Sequence, residues 1–283
     1  MNTTSVDMNA IGRTARLTAA ARAVESRQPD RLFVDDYAEA LAGPEGFALM
    51  ERLEAFTGGR NPVLPLRTRF YDEVIHGVVH QGQVRQVVLL AAGFDSRAFR
   101  LTWPIGTTVF EVDQPALLAD KATVLAELRA EPACDHRIVA ADLTDDWTSA
   151  LDDAGYDDQQ TCLWVAEGLL CYLPEPAVAQ LLRTTSDHSR KGSQLATDFI
   201  GNTFLASPAM APMRTTLTEI GAPWQSGSDQ PEQLLTATGW RPERVLQPGE
   251  PGFDFRTLPF PTVPRHVDAP GLPRLFFATA TRP

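Results

Sequence analysis

Gln86-Val87-Val88-Leu89-Leu90-Ala91-Ala92-Gly93-Phe94-Asp95-Ser96-Arg97 reads as a buried apolar strand that stops at a turn of small residues and hands over to a helix start. Shortly after it, Thr107-Thr108-Val109-Phe110-Glu111-Val112-Asp113 repeats the apolar strand and ends it in acid. In an open parallel sheet such a turn lies at the carboxyl edge, where backbone can meet a ligand. The carboxylate closing the next strand then stands within reach of a ribose diol. The pair predicts a nucleotide-type cofactor site, and the rest of the chain is read outward from it.

Strand and helix patterns alternate on the carboxyl side. Strands are expected at 86–92, 107–113, 136–142, 161–167, 193–200, 240–246 and 274–281. Helices are expected at 115–130, where Pro115 takes a first-turn position, at 174–188 and at 230–238. Seven strands with crossover helices predict a doubly wound, mostly parallel α/β sheet. On the amino side the pattern is helical: 14–26, a short helix at 35–41, and 66–80 with Phe70, Tyr71, Val74, Ile75 and Val78 on one face. Two stretches break the rhythm. Residues 202–229 carry Phe204, Leu205, Met210, Met213, Leu217, Ile220 and Trp224, too apolar for a bare linker. Residues 247–273 hold seven prolines, which exclude regular structure and predict an ordered loop. Either stretch is placed to cover a ligand.

The bulk properties narrow the partners. A formal net charge of −11 over 283 residues, with no basic run, argues against a phosphate-coating surface and so against nucleic acid. No apolar run approaches membrane-spanning length, and no signal pattern opens the chain. The Asn2-Thr3-Thr4 sequon therefore carries little weight. Cys134, Cys162 and Cys171 form no C-x-x-C pair and read as buried thiols, which suits a cytoplasmic protein. A homodimer remains compatible with all of this.

At the turn itself, a dinucleotide fingerprint would place three glycines; here Ala91, Gly93 and Ser96 stand in those positions. With Phe94 and Asp95 beside the one remaining glycine, a pyrophosphate is poorly served. A cofactor without phosphates fits better, S-adenosyl-L-methionine above all. Its amino-acid tail brings an ammonium and a carboxylate to the turn, and its ribose asks for an acid.

Five motifs then carry a resemblance. They are Arg67-Thr-Arg-Phe-Tyr-Asp72, Ala92-Gly-Phe-Asp-Ser-Arg-Ala-Phe-Arg-Leu101, Phe110-Glu-Val-Asp-Gln-Pro115, Ala141-Asp-Leu143 and Ala166-Glu-Gly-Leu-Leu-Cys-Tyr-Leu173. In this order they resemble the leucine carboxyl methyltransferase-like group of class I S-adenosylmethionine-dependent methyltransferases, which includes actinobacterial enzymes of small-molecule methylation. The likeness runs over 14–200 and is loose beyond. It implies one methyltransferase domain over 1–283, with a helical cap over 1–82, a cofactor core over 83–200 and substrate-side insertions over 201–283.

The resemblance also implies roles. Arg67, at the head of its helix, would pair with the cofactor carboxylate, with Arg69 as rival. Gly93 would let backbone approach the methionine part, and Asp113 would accept the ribose hydroxyls in preference to Glu111. Asp142 and Leu143, ending the third strand, would meet adenine through a carboxylate and a backbone N–H. Asp142 has helix capping as its competing role. Glu167, ending the fourth strand, would bind the ammonium or hydroxyls, while Asp95 is either beside the cofactor or a helix cap. The implied reaction is O-methylation of a small-molecule acceptor, a carboxylate of a secondary metabolite such as a polyketide, with no catalytic residue assigned. A phenol acceptor would instead need a base, for which Tyr172, His188 and His266 stand unranked.

Other signals weigh less. His76 and His80 have metal-ligand spacing but lack the glutamate of H-E-x-x-H and a third ligand. Asp35-Asp36, Asp145-Asp146 and Asp152-Asp153 read as solvated caps. Among the tryptophans, Trp224 alone reads as a wall for an aromatic substrate. A nicotinamide-dependent oxidoreductase and a catalytically silent cofactor-binding protein are the competing functions; the missing glycines and the absence of a Tyr-x-x-x-Lys pair count against the first.

Overall fold

The computed structural model describes residues 8–57, 59–82, 84–259, 263–265, 267 and 272–283; the Asn2 sequon and His266 lie outside them. Three helices come first: α1 (Met8–Ser26), α2 (Ala38–Thr57) and α3 (Val63–His80). Then β1 (Gln86–Leu90), α4 (Arg97–Arg100), β2 (Thr108–Asp113), α5 (Pro115–Glu127), β3 (Asp135–Ala140), α6 (Trp147–Asp153), β4 (Cys162–Ala166), α7 (Glu175–Asp187) and β5 (Gln194–Ile200) alternate. The chain ends with α8 (Asn202–Ala206), α9 (Ala211–Glu219), α10 (Pro231–Ala237), β6 (Arg241–Leu246) and β7 (Leu275–Thr281).

The strands form one seven-stranded sheet in the order β3-β2-β1-β4-β5-β7-β6, parallel except for β7, which runs antiparallel to both β5 and β6. The chain winds outward from β1 in one direction and from β4 in the other, so a topological switch point falls between them. A crevice opens at the carboxyl ends of strands at such a point. The period of two along β1 sorts its side chains between the faces. Val88 and Leu90 join Phe110, Trp164, Leu182 and Trp240 on one, while Val87 and Leu89 join Phe70, Ile75, Val165 and Phe277 on the other.

Several expected boundaries move. The short helix at 35–41 begins instead at Ala38 and continues to Thr57, across a kink at Gly43 (φ 56°, ψ 179°) followed by Pro44. Those two residues look like a helix end in sequence. The third strand stops at Ala140, so Asp142 and Leu143 lie in the loop beyond it. Arg67 lies in the second turn of α3, which starts at Val63. Asp35 is not a solvated cap: its side chain is 0% exposed and ion-paired to Arg22 at 2.8 Å. Residues 202–229 fold into α8, a 3-10 turn at Pro208–Met210, and α9. The proline loop has no helix or strand over its described part but is pinned, with Phe253 packed 4.6 Å from Phe277 and Arg256 forked onto Glu25 of α1 at 2.7 and 3.0 Å. No helix of the described residues is long and apolar enough to cross a membrane.

Candidate functional site

The carboxyl ends of β3, β2, β1, β4 and β5 open onto one cavity of about 1680 Å³, and all six residues singled out in the sequence line it. Strand order therefore lays out a line: Asp142 and Leu143 after β3, Asp113 at the end of β2, Gly93 after β1, Glu167 after β4, Asp198 on β5.

The turn after β1 holds two left-handed residues, Ala91 and Gly93, each at φ 50°. Gly93 donates its N–H to Asp113 Oδ2 at 2.6 Å, and Gln114 donates to Asp113 Oδ1 at 2.7 Å. Burial pushes the Asp113 carboxyl above its ordinary range, opposed by these two N–H groups. Two accepted bonds leave lone pairs free on both oxygens. Glu111 is spent elsewhere: it is 0% exposed, bonded to Lys121 Nζ at 2.6 Å and close to His136 Nε2 at 3.3 Å. The acid that faces the cavity is Asp113.

On the other side of β1, Arg67 Nε donates to Glu167 Oε1 at 2.9 Å. Burial works against the Arg67 cation, yet Glu167 and Asp198 beside it hold its pKa above the ordinary value. Gly168 makes this packing feasible, since an added Cβ there would sit 2.6 Å from Arg67 Nη1 and its φ is +60°. Glu167 Oε2 lies 2.8 Å from Arg97 Nη1, but no donor among the described residues is aimed at it, and it is buried. Arg69 turns away from the cavity, donating to the Leu32 carbonyl and pairing with Glu73.

Asp142 accepts from Thr144 N–H at 2.9 Å, from Thr144 Oγ1 at 2.7 Å and from Gln114 Nε2 at 3.1 Å. Partial burial raises its pKa, but these donors outweigh that and lower it. The capping role falls to Asp146, which accepts from Ser149 N–H at the start of α6.

Sequence reasoning missed a buried ionic network and one acid. Arg97 pairs with Asp72 at 2.7 Å and with Asp95, and Arg100 grips the same Asp72 at 2.7 and 2.8 Å. Asp95 is thus part of this network as well as of the cavity wall. Asp198 Oδ1 accepts from Tyr71 OH and from Gly168 N–H, each at 2.7 Å. Burial raises the Asp198 pKa, against the pull of Arg67 and the two donors. The legible signal was an acid inside the apolar run Leu195-Ala-Thr-Asp-Phe-Ile200, at the carboxyl half of a strand.

Beyond β5 the wall turns apolar. Phe204, Met210, Met213, Leu217 and Trp224 line this part, with Pro259 and Leu275 closing it from the proline loop and β7. Trp224 packs 5.5 Å from Phe204, and Tyr172, which also lines the cavity, packs with it against Leu217, Ile220 and Ala222. His188 is elsewhere, bonded to Asp152 at 2.7 Å. His76 and His80 stack on each other at 4.0 Å, and no group of three or more metal-capable side chains occurs among the described residues.

Comparison with known proteins adds the following. The family model described as leucine carboxyl methyltransferase matches residues 15–186. A protein of Mycobacterium sp. (strain JLS) named as an S-adenosyl-L-methionine-dependent methyltransferase is 38% identical over 263 residues, covering 87% of this chain and 84% of its own length. One from Mycolicibacterium smegmatis, with the same description, is 44% identical over 213 residues, 70% of each chain. A crystal structure of a methyltransferase-type protein from Thermobifida fusca shares the fold at TM-score 0.63 and 15% identity, over 95% of this chain and 94% of that one.

Proposed function

The chain belongs to the leucine carboxyl methyltransferase family and is an S-adenosylmethionine-dependent methyltransferase, and from that premise we propose that it methylates an oxygen, a carboxylate in the first place, on a small and largely apolar molecule. One observation carries the reading. The cavity of about 1680 Å³ passes without a break from a charged half to an apolar half. A pocket for one drug-sized ligand occupies roughly 300–1,000 Å³, so this chamber has room for a cofactor and an acceptor side by side.

The chain's residues fit the cofactor. At Gly93 the φ of +50° strains any side chain and an added Cβ would crowd Ala15 Cβ at 3.3 Å, so a bare backbone suits the position. Glu167 lines the cavity and would offer its carboxylate to the cofactor ammonium. Arg67 would fork onto the cofactor carboxylate, Asp113 would take both ribose hydroxyls, and Asp142 and the Leu143 N–H would take adenine. When bound, S-adenosylmethionine supplies a methyl group activated by a sulfonium. The chain's own task is then to align the acceptor oxygen and exclude water, and positioning accounts for much of the rate. A carboxylate needs no base, and the described cavity wall carries no histidine.

A second reading has one observation in its favour. Asp198 stands where the charged half gives way to the apolar one, and its Oδ2 has no bonded donor among the described residues, so it is placed to take the proton of a hydroxyl acceptor. Matched acceptors separate the two readings. With 2-naphthoate and 2-naphthol offered together, the carboxylate reading expects the base-labile methyl ester as the mass-spectrometric product. Ether formation alone would transfer the case to the hydroxyl reading.

A further inference from the structure

We propose that Arg22 of α1 and Asp35 form a clamp that fixes the cofactor turn 91–96 from outside the sheet, so that the N-terminal helical layer is part of the cofactor site. The turn needs holding. Ala91 adopts φ 50° although it carries a Cβ, and Gly93 two residues later does the same. Left-handed backbone at a non-glycine residue is costly and persists only where its surroundings over-determine it.

The sheet supplies half of that constraint. Ala92 N–H donates to the Val112 carbonyl at 3.2 Å and Gly93 N–H to Asp113 at 2.6 Å. The other half comes from the N-terminal layer. Arg22 Nη2 donates to the Phe94 carbonyl at 2.5 Å while its Nε donates to Asp35 Oδ2 at 2.8 Å. The same Oδ2 accepts from Ser96 Oγ at 2.7 Å, which ties the far end of the turn to the same acid. Asp35 is itself set in place, because its N–H donates to Ser26 Oγ at 2.9 Å and its Oδ1 accepts from Tyr37 N–H at 3.2 Å. Burial alone would raise the Asp35 pKa, but Arg22, Arg100 and Ser96 keep it below the ordinary carboxylate value.

This explains why a serine can stand where a dinucleotide turn carries its third glycine. Ser96 is buried and is the clamp's second attachment point. The guanidinium fork matters as much as the charge, since one nitrogen holds the acid and another the carbonyl. The clamp grips Phe94 and Ser96, directly after Gly93, where the methionine portion of the ligand would lie. It does not touch Asp142 or Leu143.

The proposal rests on the cofactor reading, and its test separates the two. Binding of S-adenosylhomocysteine and of methylthioadenosine, which lacks the amino-acid tail, is measured by calorimetry on the full chain. Failure of the unaltered protein to bind S-adenosylhomocysteine would end the cofactor reading itself. Given binding, Arg22→Met is expected to weaken S-adenosylhomocysteine about tenfold or more while methylthioadenosine stays within about twofold. Arg22→Lys should recover part of the loss. Ser96→Ala removes one attachment point only and serves where Arg22→Met does not fold; about threefold weakening of S-adenosylhomocysteine alone is expected. Unchanged affinity in folded variants overturns the clamp. So does an equal loss for both ligands, since general support of the fold would act on both alike.

Discussion

The charged and apolar halves of the cavity are built by different physics. In the charged half nearly every side chain is held by directed bonds: Asp113 by two N–H groups, Glu167 by Arg67, Asp95 by Arg97. In the apolar half Leu217, Ile220 and Ala222 form a small cluster with Met213, Trp224 and Leu49 of α2, held by non-directional packing. Directed bonds fix one ligand geometry, and soft apolar walls with methionines tolerate changes of shape. The same cofactor can therefore serve acceptors that differ while its own half stays constant.

The largest test of this contrast removes the centre of the charged half. Arg97→Ala leaves Asp95 without a bonded cation and Asp72 and Glu167 with one arginine each, Arg100 and Arg67, and loss of one partner from such a buried group costs about 3–5 kcal/mol. Urea denaturation is expected to show that loss, a large part of a typical domain's stability. Acid behaviour should shift with it. Burial would raise the Asp95 pKa, but Arg97 first, with Lys121, Arg22 and Arg100, brings it down to about 2. Its contribution to stability is present above the ordinary carboxylate range and disappears as pH falls toward about 2. In the variant, acid unfolding begins at higher pH. A variant as stable as the parent would mean that the network is not what orders this half.

Asp113→Ala comes next. Loss of two ribose hydrogen bonds should weaken S-adenosylhomocysteine by about 2 kcal/mol in calorimetry, with unchanged affinity pointing to a different carboxylate. The pH dependence sharpens this. Asp113 titrates above the ordinary carboxylate range because it is buried, and only its ionised form offers full acceptor capacity. Affinity should therefore be level at neutral pH and fall as pH drops through that raised value. Asp113→Asn should abolish the slope.

The two halves also differed in how far they could be read from the chain. The strand-turn-acid grammar around Gly93 and Asp113 is local, so β1, β2 and the residues at their ends were legible. The third strand ends two residues before the expected 142, because Ala140 and Ala141 continue its apolar run in sequence. What tied the site together was not local: Arg22 meets the Phe94 carbonyl across 72 positions, and Arg67 meets Glu167 across 100. Asp35 in a polar turn looked solvated, since its burial depends on helices packed far along the chain. In the apolar half, Pro208, Pro212 and Pro223 broke the periodicity that would have marked helices, and Gly43-Pro44 hid the second half of α2.

The smallest expected effect is the one that most directly divides the two halves. Trp224→Ala opens the apolar wall, removing the ring that meets Phe204 at 5.5 Å and packs beside Tyr172 on the Leu217 cluster. Nothing in that change touches Asp113, Gly93 or Asp142, and separate sites add to within about 0.5 kcal/mol. S-adenosylhomocysteine affinity should therefore stay within that margin, while the acceptor KM rises because apolar area facing the acceptor is lost. The path by which the halves could communicate runs through Tyr172, which shares its surroundings with Arg67. A calorimetric loss approaching that of Asp113→Ala would therefore show the ring acting through Tyr172 on Arg67, and the cavity would be one coupled site with a single geometry.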